Sequence, residues 1–157
     1  MALTAAVLAA LPTNPDTQIA EAGKDTLLSI NTGTVEVPVW TLVGGQRNSP
    51  VKQSANSMDG SHKTSGGWSQ GIPGLKSWSI DYSGLQIMDD SGLQALEYGF
   101  RNNKQLNVKI EYPNKKYQTG WAFITAFNRE NPHDGIATAS ATLTGVGAIS
   151  EMTEPKA

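Results

Sequence analysis

Apolar and polar side chains alternate along several stretches of this chain, and this period-two pattern constrains the fold more than any other feature. From Ser77 onward, one side of the pattern carries Trp78, Ile80 and Tyr82, and the other carries Ser77, Ser79, Asp81 and Ser83. Residues 106–112 repeat the pattern, and so do residues 136–149, whose polar row is Thr138, Ser140, Thr142 and Thr144. Such alternation indicates strands with one buried face.

One stretch has helical periodicity instead. Residues 91–103 place Leu93, Leu96 and Phe100 on one face. Ser91 and Gln94 have the spacing of a capping box, and Glu97 can pair with Arg101 four residues later. The pattern predicts a helix over 91–103.

Further strands are predicted at 26–30, 35–43 and 117–127, and Pro38 places the second of these at a sheet edge or a bulge. Trp40, Trp78 and Trp121 have the parity of core residues in their strands. Together these segments predict a mainly β fold, an antiparallel β-sandwich or barrel of six or seven strands with one flanking α-helix.

A chain of 157 residues is typically one domain. We expect that domain to span residues 26–150, with an N-terminal arm over 1–25 and a C-terminal tail over 151–157. Residues 44–74 are rich in Gly, Ser, Asn and Lys and predict a long loop, which is uncommon in a compact domain and usually functional. Asp59-Gly60 is a turn signal for an extended hairpin within it.

Composition excludes several classes of function. A net charge of -2 gives no basic field for nucleic acid or an acidic membrane. The absence of cysteine excludes disulfides and thiolate metal sites. The opening "MALTAAVLAALP" has no basic residue before its apolar run and is too short to span a bilayer, so we interpret it as an arm with a short Ala-rich helix.

A serine motif lies within the predicted loop. Gly67 to Gly71 fits the G-x-S-x-G elbow of serine hydrolases, with Ser69 at its centre. An elbow requires a core strand before the serine and a helix after it, and neither is predicted here. Asp90 and His133 follow in a permissive order, but we interpret the match as coincidental, and an esterase is the least favoured function.

Metal and phosphate sites are not predicted either. His62 and His133 are far apart, and no second ligand stands at a fixed spacing from either. Asp89 and Asp90 precede the predicted helix, where its dipole accounts for them. We therefore expect no catalytic residues, no metal and no cofactor. Trp68 is different, because a large aromatic in a polar loop indicates an anchor on a partner surface.

Four segments resemble the major tail tube proteins of bacteriophages with long, non-contractile tails. They are "AGKDTLLSINTGT", "VPVWTLVGGQRNSPVKQSAN", "KTSGGWSQGIPGLKSWSIDYSGL" and "TASATLTGVGAI", which occur in order from about Ala22 to Ile149. The first 20 residues have no counterpart in the resemblance. It implies a fold similar to the type VI secretion tube protein, and six subunits per ring, with rings stacked into a hollow tube in the virion tail, assembled in the host cytoplasm.

The resemblance also implies partners and sites. The partners are further copies of the chain and the tail terminator, tape measure and distal tail proteins, while DNA passes through the lumen without specific binding and no membrane is involved. The 44–74 loop would reach a neighbouring ring. We expect interface roles for Gln46, Arg47, Asn48, Trp68, Ile72 and Leu75.

A lumen that passes DNA should be polar and should lack Lys and Arg, which bind phosphates. We therefore expect the polar rows to face the lumen: Ser77, Ser79, Asp81, Ser83, Thr138, Ser140, Thr142 and Thr144. Asn107, Lys109 and Glu111 carry mixed charge and are expected on an outer face. The alternative function is that of a β-sandwich decoration or binding domain on a virion or cell surface.

Overall fold

Eight strands form one antiparallel sheet in the computed structural model, which describes residues 2–13 and 22–155. The strand order is β2-β1-β6-β7-β8-β5-β3, and β4 also pairs with β5. The strands are β1 (Leu27–Asn31), β2 (Trp40–Leu42), β3 (Gln46–Asn48), β4 (Val51–Asp59), β5 (Gly71–Leu85), β6 (Leu106–Glu111), β7 (Tyr117–Glu130) and β8 (Thr138–Val146). The helices are α1 (Ala5–Ala9) and α2 (Ser91–Arg101), and a 3₁₀ turn spans Gly23–Asp25.

The core lies on one face of this curved sheet. From Trp78 onward in β5, and in β6 and residues 138–144 of β8, buried residues alternate with partly exposed ones, as the sequence predicts. Ile80, Leu143 and Ile124 are neighbours across three strands and form its centre. Helix α2 packs Leu93 and Leu96 onto the same face. The mainly β antiparallel fold with one flanking helix is confirmed.

The sheet is not closed into a barrel, and a side chain bridges the opening between β1 and β3. The amide oxygen of Gln46 accepts from the Leu28 N–H at 2.8 Å, and its amide nitrogen donates to the carbonyls of Leu28 and Val43. These bonds satisfy the Leu28 N–H and the Val43 carbonyl, while the Leu28 carbonyl also accepts from the Val43 N–H at 3.2 Å. Gln46 therefore has a structural role inside the subunit, and its expected interface role stays a prediction.

A register shift in β7 overturns one predicted core position. The pairing with β8 shifts between Ile124 and Ala126, so the side chains before and after this bulge alternate with opposite parity. Ala122 and Ile124 are buried, and Trp121 and Phe123 are 41% and 38% exposed on the other face. The prediction that Trp121 is a core residue is wrong.

Helix α2 begins one residue earlier than its capping pattern predicts. The N-cap is Asp90, whose carboxylate accepts from the Leu93 N–H at 2.9 Å and from the Gly44 N–H at 3.1 Å. The expected capping role of Ser91 is therefore wrong, although the helix and its Glu97–Arg101 pair are confirmed. The helix ends at Arg101 rather than at residue 103.

Three further boundaries differ from expectation. Strand β2 is confined to Trp40–Leu42. The side-chain oxygen of Asn31 accepts from the Gly33 and Val39 N–H groups, and these bonds hold residues 32–39 as a loop. Most of the predicted 44–74 loop is strand. Thr153, expected in a C-terminal tail, forms a β-bridge with Tyr117, and the backbone N–H of each residue donates to the carbonyl of the other.

The predicted N-terminal arm is described only in part. Residues 14–21 lie outside the described residues. Helix α1 confirms the short Ala-rich helix, and Thr4 caps it by accepting from the Val7 N–H. None of its side chains is buried.

Candidate subunit interface

A two-stranded hairpin arm, residues 51–78, extends from one end of the sheet. Strand β5 pairs with β8 only from Ser79 to Leu85, so its first part has β4 as its partner. Strand β4 has one partly buried residue, Val51, and is otherwise exposed. An isolated two-stranded hairpin is only marginally stable in water. The arm is therefore the part of the sheet that gains most from contact with another molecule.

The arm ends in an eleven-residue tip, residues 60–70, rather than in a tight turn at Asp59-Gly60. The Gly60 N–H donates to the Gln70 carbonyl at 2.7 Å and closes the tip. Asp59 accepts from the Ser61 N–H, and hydrogen bonds from Ser61 lower the pKa of this carboxyl. Gly66 and Gly67 have positive φ values, which glycine adopts without strain.

Large apolar side chains on the arm are exposed. Trp68 is 80% exposed, Leu75 83% and Ile72 50%. Burying a large side chain of this kind contributes about 1.5–3 kcal/mol. The structure thus brings three of the predicted interface residues onto one hairpin, and it leaves them without an intramolecular core.

The other predicted interface residues lie elsewhere. Arg47 and Asn48 are exposed on β3, beside a groove of about 430 Å³ that Lys24, Pro50 and Tyr112 also line. This groove lies at the open seam of the sheet, next to the Gln46 bridge. Their interface role stays a prediction, and it concerns a surface separate from the arm.

The predicted lumen residues come together on one surface, the polar face. Opposite pairs in β5 and β8 are Ser79 with Thr144, Asp81 with Thr142 and Ser83 with Ser140. All six are partly buried. Thr138 pairs with Leu85 at the end of the same ladder. Ser77 lies beyond the ladder, at the root of the arm, and its hydroxyl is 3.0 Å from that of Ser54.

This face also carries cations that the sequence analysis missed or placed elsewhere. Lys52 lies opposite Ser79, and its Nζ is 2.6 Å from the Asp81 carboxylate. Lys109 lies on the same face of the sheet. It pairs with Thr119 in β7, two residues before Trp121, and Phe123 in the same row pairs with Thr144. Its Nζ lies 5.0 Å from the Trp40 ring centroid and 5.5 Å from that of Tyr117. Asn107, Lys109 and Glu111 therefore lie on the same side of the sheet as the Ser and Thr rows, and their placement on the outside of a tube stays a prediction.

Trp121 and Phe123 form an aromatic strip beside the polar face. Phe123 lies opposite Thr144, so the strip borders the Ser and Thr rows directly. A groove of about 490 Å³ runs from Trp121 to Val35 and Lys104. Sequence reasoning missed this surface because it assigned Trp121 to the core.

The chemistry-bearing residues form no catalytic arrangement. Ser69 lies exposed in the arm tip and is followed by strand β5, so the elbow geometry is absent there. His62 bonds its neighbour Thr64, and His133 lies 3.6 Å from Asp134, where both are exposed. Across residues 2–13 and 22–155 we find neither a cluster of three metal-binding side chains nor a helix with the length and apolarity to cross a membrane.

Solved structures of a particle tail, a tail tube and a baseplate share this architecture. The tail of an empty gene transfer agent particle, refined with C6 symmetry, aligns over 83% of this chain and 98% of its own, with 23% identity and a TM-score of 0.73. The SPP1 tail tube aligns over 87% of this chain and 81% of its own, with 18% identity and a TM-score of 0.73. The anti-feeding prophage baseplate gives 10% identity, 86% and 96% coverage, and a TM-score of 0.67.

The sequence itself matches a family of structural proteins. No curated protein matches it significantly. The family model described as phage tail tube protein matches residues 20–151, which include every strand of the sheet and helix α2. The chain therefore belongs to the phage tail tube protein family.

Proposed function

We propose that this chain is the repeating subunit of a tail tube, in which six copies form a ring and rings stack head to tail around a channel for DNA. The C6 symmetry of the gene transfer agent tail supports the ring. Family membership supports the tail as its location. The same membership supports a structural role without catalysis.

The exposed arm is the observation that carries the stacking proposal. Trp68, Ile72 and Leu75 are exposed on it, and its two strands leave edges that another chain can cover. A contact between an arm and a different patch on the next copy is heterologous, and heterologous contacts generate rings or open filaments. The tube proposed here needs both.

The polar face is proposed to line the channel. Its small hydroxyl side chains offer DNA few cationic contacts, and the carboxylate of Asp81 neutralises Lys52. The aromatic strip beside the polar face is then the surface that a neighbour in the ring covers. The tube ends require capping and initiating proteins, for which tail terminator, tape measure and distal tail proteins are the proposed partners, with assembly in the host cytoplasm.

Substitution of Trp68 tests the proposal. We expect the wild-type protein to form rings or tubes on concentration, visible by negative-stain microscopy. Trp68→Ala should raise the concentration needed for assembly about tenfold or more, because anchor residues at interfaces contribute 2 kcal/mol or more. Trp68→Phe, which keeps a ring, should assemble at an intermediate concentration. Circular dichroism should show the same fold for all three.

Two outcomes would reject the proposal. Wild-type assembly that is unchanged by Trp68→Ala would remove the arm from the stacking contact. A wild-type protein that stays monomeric or trimeric at high concentration and binds only to a preformed lattice would favour a decoration domain instead.

A further inference from the structure

The two ends of the subunit carry opposite charge. The hairpin arm contains Lys52, Lys63 and Lys76 against one acid, Asp59, which gives a net charge of +2. Lys63 and Lys76 have no ion-pair partner among the described residues. The chain as a whole has a charge of -2, so the arm is basic within an acidic protein.

The base surface, residues 86–90 and 130–137, lies at the other end of the same strand. Leu85 pairs with Thr138, and the Gln86 N–H donates to the Ala137 carbonyl, so the two loops are adjacent. The base surface contains four acids and neither Lys nor Arg: Asp89, Asp90, Glu130 and Asp134. Its single His133 contacts Asp134.

Both ends also present apolar side chains. On the base surface, Met88 is 69% exposed, Ile136 65% and Ile87 45%. On the arm, Trp68 and Leu75 are exposed even more fully. Exposed apolar residues that are surrounded by charge are typical of protein interaction sites.

The arm cannot reach the base surface of its own subunit. Strand β5 is extended, so Gly71 next to the arm tip lies about 45 Å from the base surface, and Lys76 lies about 30 Å from it. The basic hairpin arm and the acidic base surface can therefore meet only when they belong to two different copies of the chain. Because the contact joins different patches, it propagates in one direction.

We infer that the hairpin arm of one subunit docks on the base surface of a second copy in the adjoining ring, with Lys63 and Lys76 facing Asp89 and Asp134. This inference rests on the proposed function and names the receiving surface, which the family resemblance does not. Asp90 is excluded from the contact, since its carboxylate already caps α2 and binds Gly44.

Charge reversal tests the inference. An arm variant (Lys63→Glu with Lys76→Glu) and a base variant (Asp89→Lys with Asp134→Lys) each place like charges together. Each should raise the concentration needed for tube formation about tenfold or more, because juxtaposed like charges oppose association strongly. The chain with all four changes restores opposite charges and should assemble near the wild-type concentration. An equal mixture of the two variants should also assemble, because the acidic arm of the arm variant has a charge opposite to that of the base surface of the base variant.

The outcomes separate the inference from the proposed function. Wild-type tubes together with unaffected reversal variants, or with no recovery in the four-change chain, would overturn the docking inference and leave the tube role standing. A wild-type protein that forms no tubes would overturn both.

Cross-linking provides a second measurement that does not depend on charge. The chain has no cysteine, so introduced thiols react without background. Leu75→Cys protein mixed with Met88→Cys protein should give covalent dimers with a short bismaleimide in assembled tubes. Each protein alone should give at most about a tenth of that yield, and equal yields in all three samples would contradict the inference.

Discussion

At the scale of residues, Trp78 shows how small side chains can determine where a large one packs. Its indole lies against the backbones of Gly120 in β7 and Gly145 in β8. A Cβ atom at Gly120 would lie 2.6 Å from the ring, and one at Gly145 would overlap it more severely. The indole N–H donates to the Gly147 carbonyl at 3.0 Å, so the buried polar group is also satisfied.

We predict that Gly145→Ala destabilises the subunit by about 1–3 kcal/mol, because the added methyl group must displace the indole from a filled core. Denaturant unfolding followed by Trp fluorescence would measure the change in the free energy of unfolding. Gly71→Ala is the matched control, since a Cβ there would contact nothing within 4 Å. Equal stability of the two variants would show that the indole can shift without cost.

The sequence predicts that Trp78 is buried, but it does not predict that the indole packs against Gly120 and Gly145. Alternation along β5 places the indole on the core side. The two glycines that receive it stand 42 and 67 residues later, on strands whose register with β5 is set by the folded sheet. A single sequence contains no signal for that pairing.

At the scale of elements, one ion-pair cluster ties helix α2 to strand β7. Both Glu97 oxygens accept from Arg129, at 3.2 and 2.7 Å, and Arg101 lies 3.1 Å from the same carboxylate. The hydrogen bond from Arg129 is the main cause that lowers the pKa of Glu97, and both arginine charges add to it. Arg129 also stacks on the Phe127 ring.

We predict that Glu97→Gln lowers the free energy of unfolding by about 1 kcal/mol at pH 7, the upper range for exposed pairs. Because the pKa of Glu97 is lower in the folded state, its ionised form stabilises the fold above the ordinary value of 4.5. That contribution is lost as the pH falls through the folded pKa. Thermal unfolding from pH 7 to pH 3 should therefore show the wild type and variant converging at the acid end.

Glu151→Gln is the control for this measurement, because the Glu151 side chain makes no ion pair among the described residues. It should leave stability unchanged across the pH range. A difference between Glu97→Gln and wild type that persists at pH 3 would mean that packing, and not charge, holds the helix to β7.

Elements with uniform alternation are predictable from this sequence, and those with local irregularity are not. Strand β6 follows the period-two burial pattern throughout, β5 follows it from Trp78 to Leu85, and β8 follows it from Thr138 to Thr144. In β7 the bulge near Thr125 reverses the parity, so Phe127 turns toward the core while Trp121 and Phe123 turn away. In the sequence Trp121, Phe123 and Phe127 all have the same parity, so they suggest one shared face. Only the pairing with β8 shows that Phe127 lies on the opposite face from the other two.

At the scale of the whole molecule, the assembly decides what the polar face contacts. The sequence predicts the Ser and Thr rows, and the sheet brings them together. It does not predict Lys52, which reaches the face because β4 pairs beside β5 at Ser79. The position of this face within a ring depends on surfaces of other copies, which the periodicity of one chain does not encode.

If the polar face lines the channel, Asp81 controls its charge. Asp81→Lys replaces the Lys52–Asp81 ion pair with two adjacent cations, repeated in every copy around the ring. Cationic groups bind DNA phosphates by releasing counterions, so they add drag that weakens as salt rises. We predict that particles assembled with Asp81→Lys form tubes of normal length but eject DNA severalfold more slowly at low salt, with the deficit shrinking at high salt. Asp81→Asn, which removes one charge and keeps the shape, should give a smaller effect of the same sign. Glu151→Lys, in the C-terminal segment beyond the β5–β8 ladder, should give none. Ejection at the wild-type rate from Asp81→Lys particles at low salt would place this face away from the DNA.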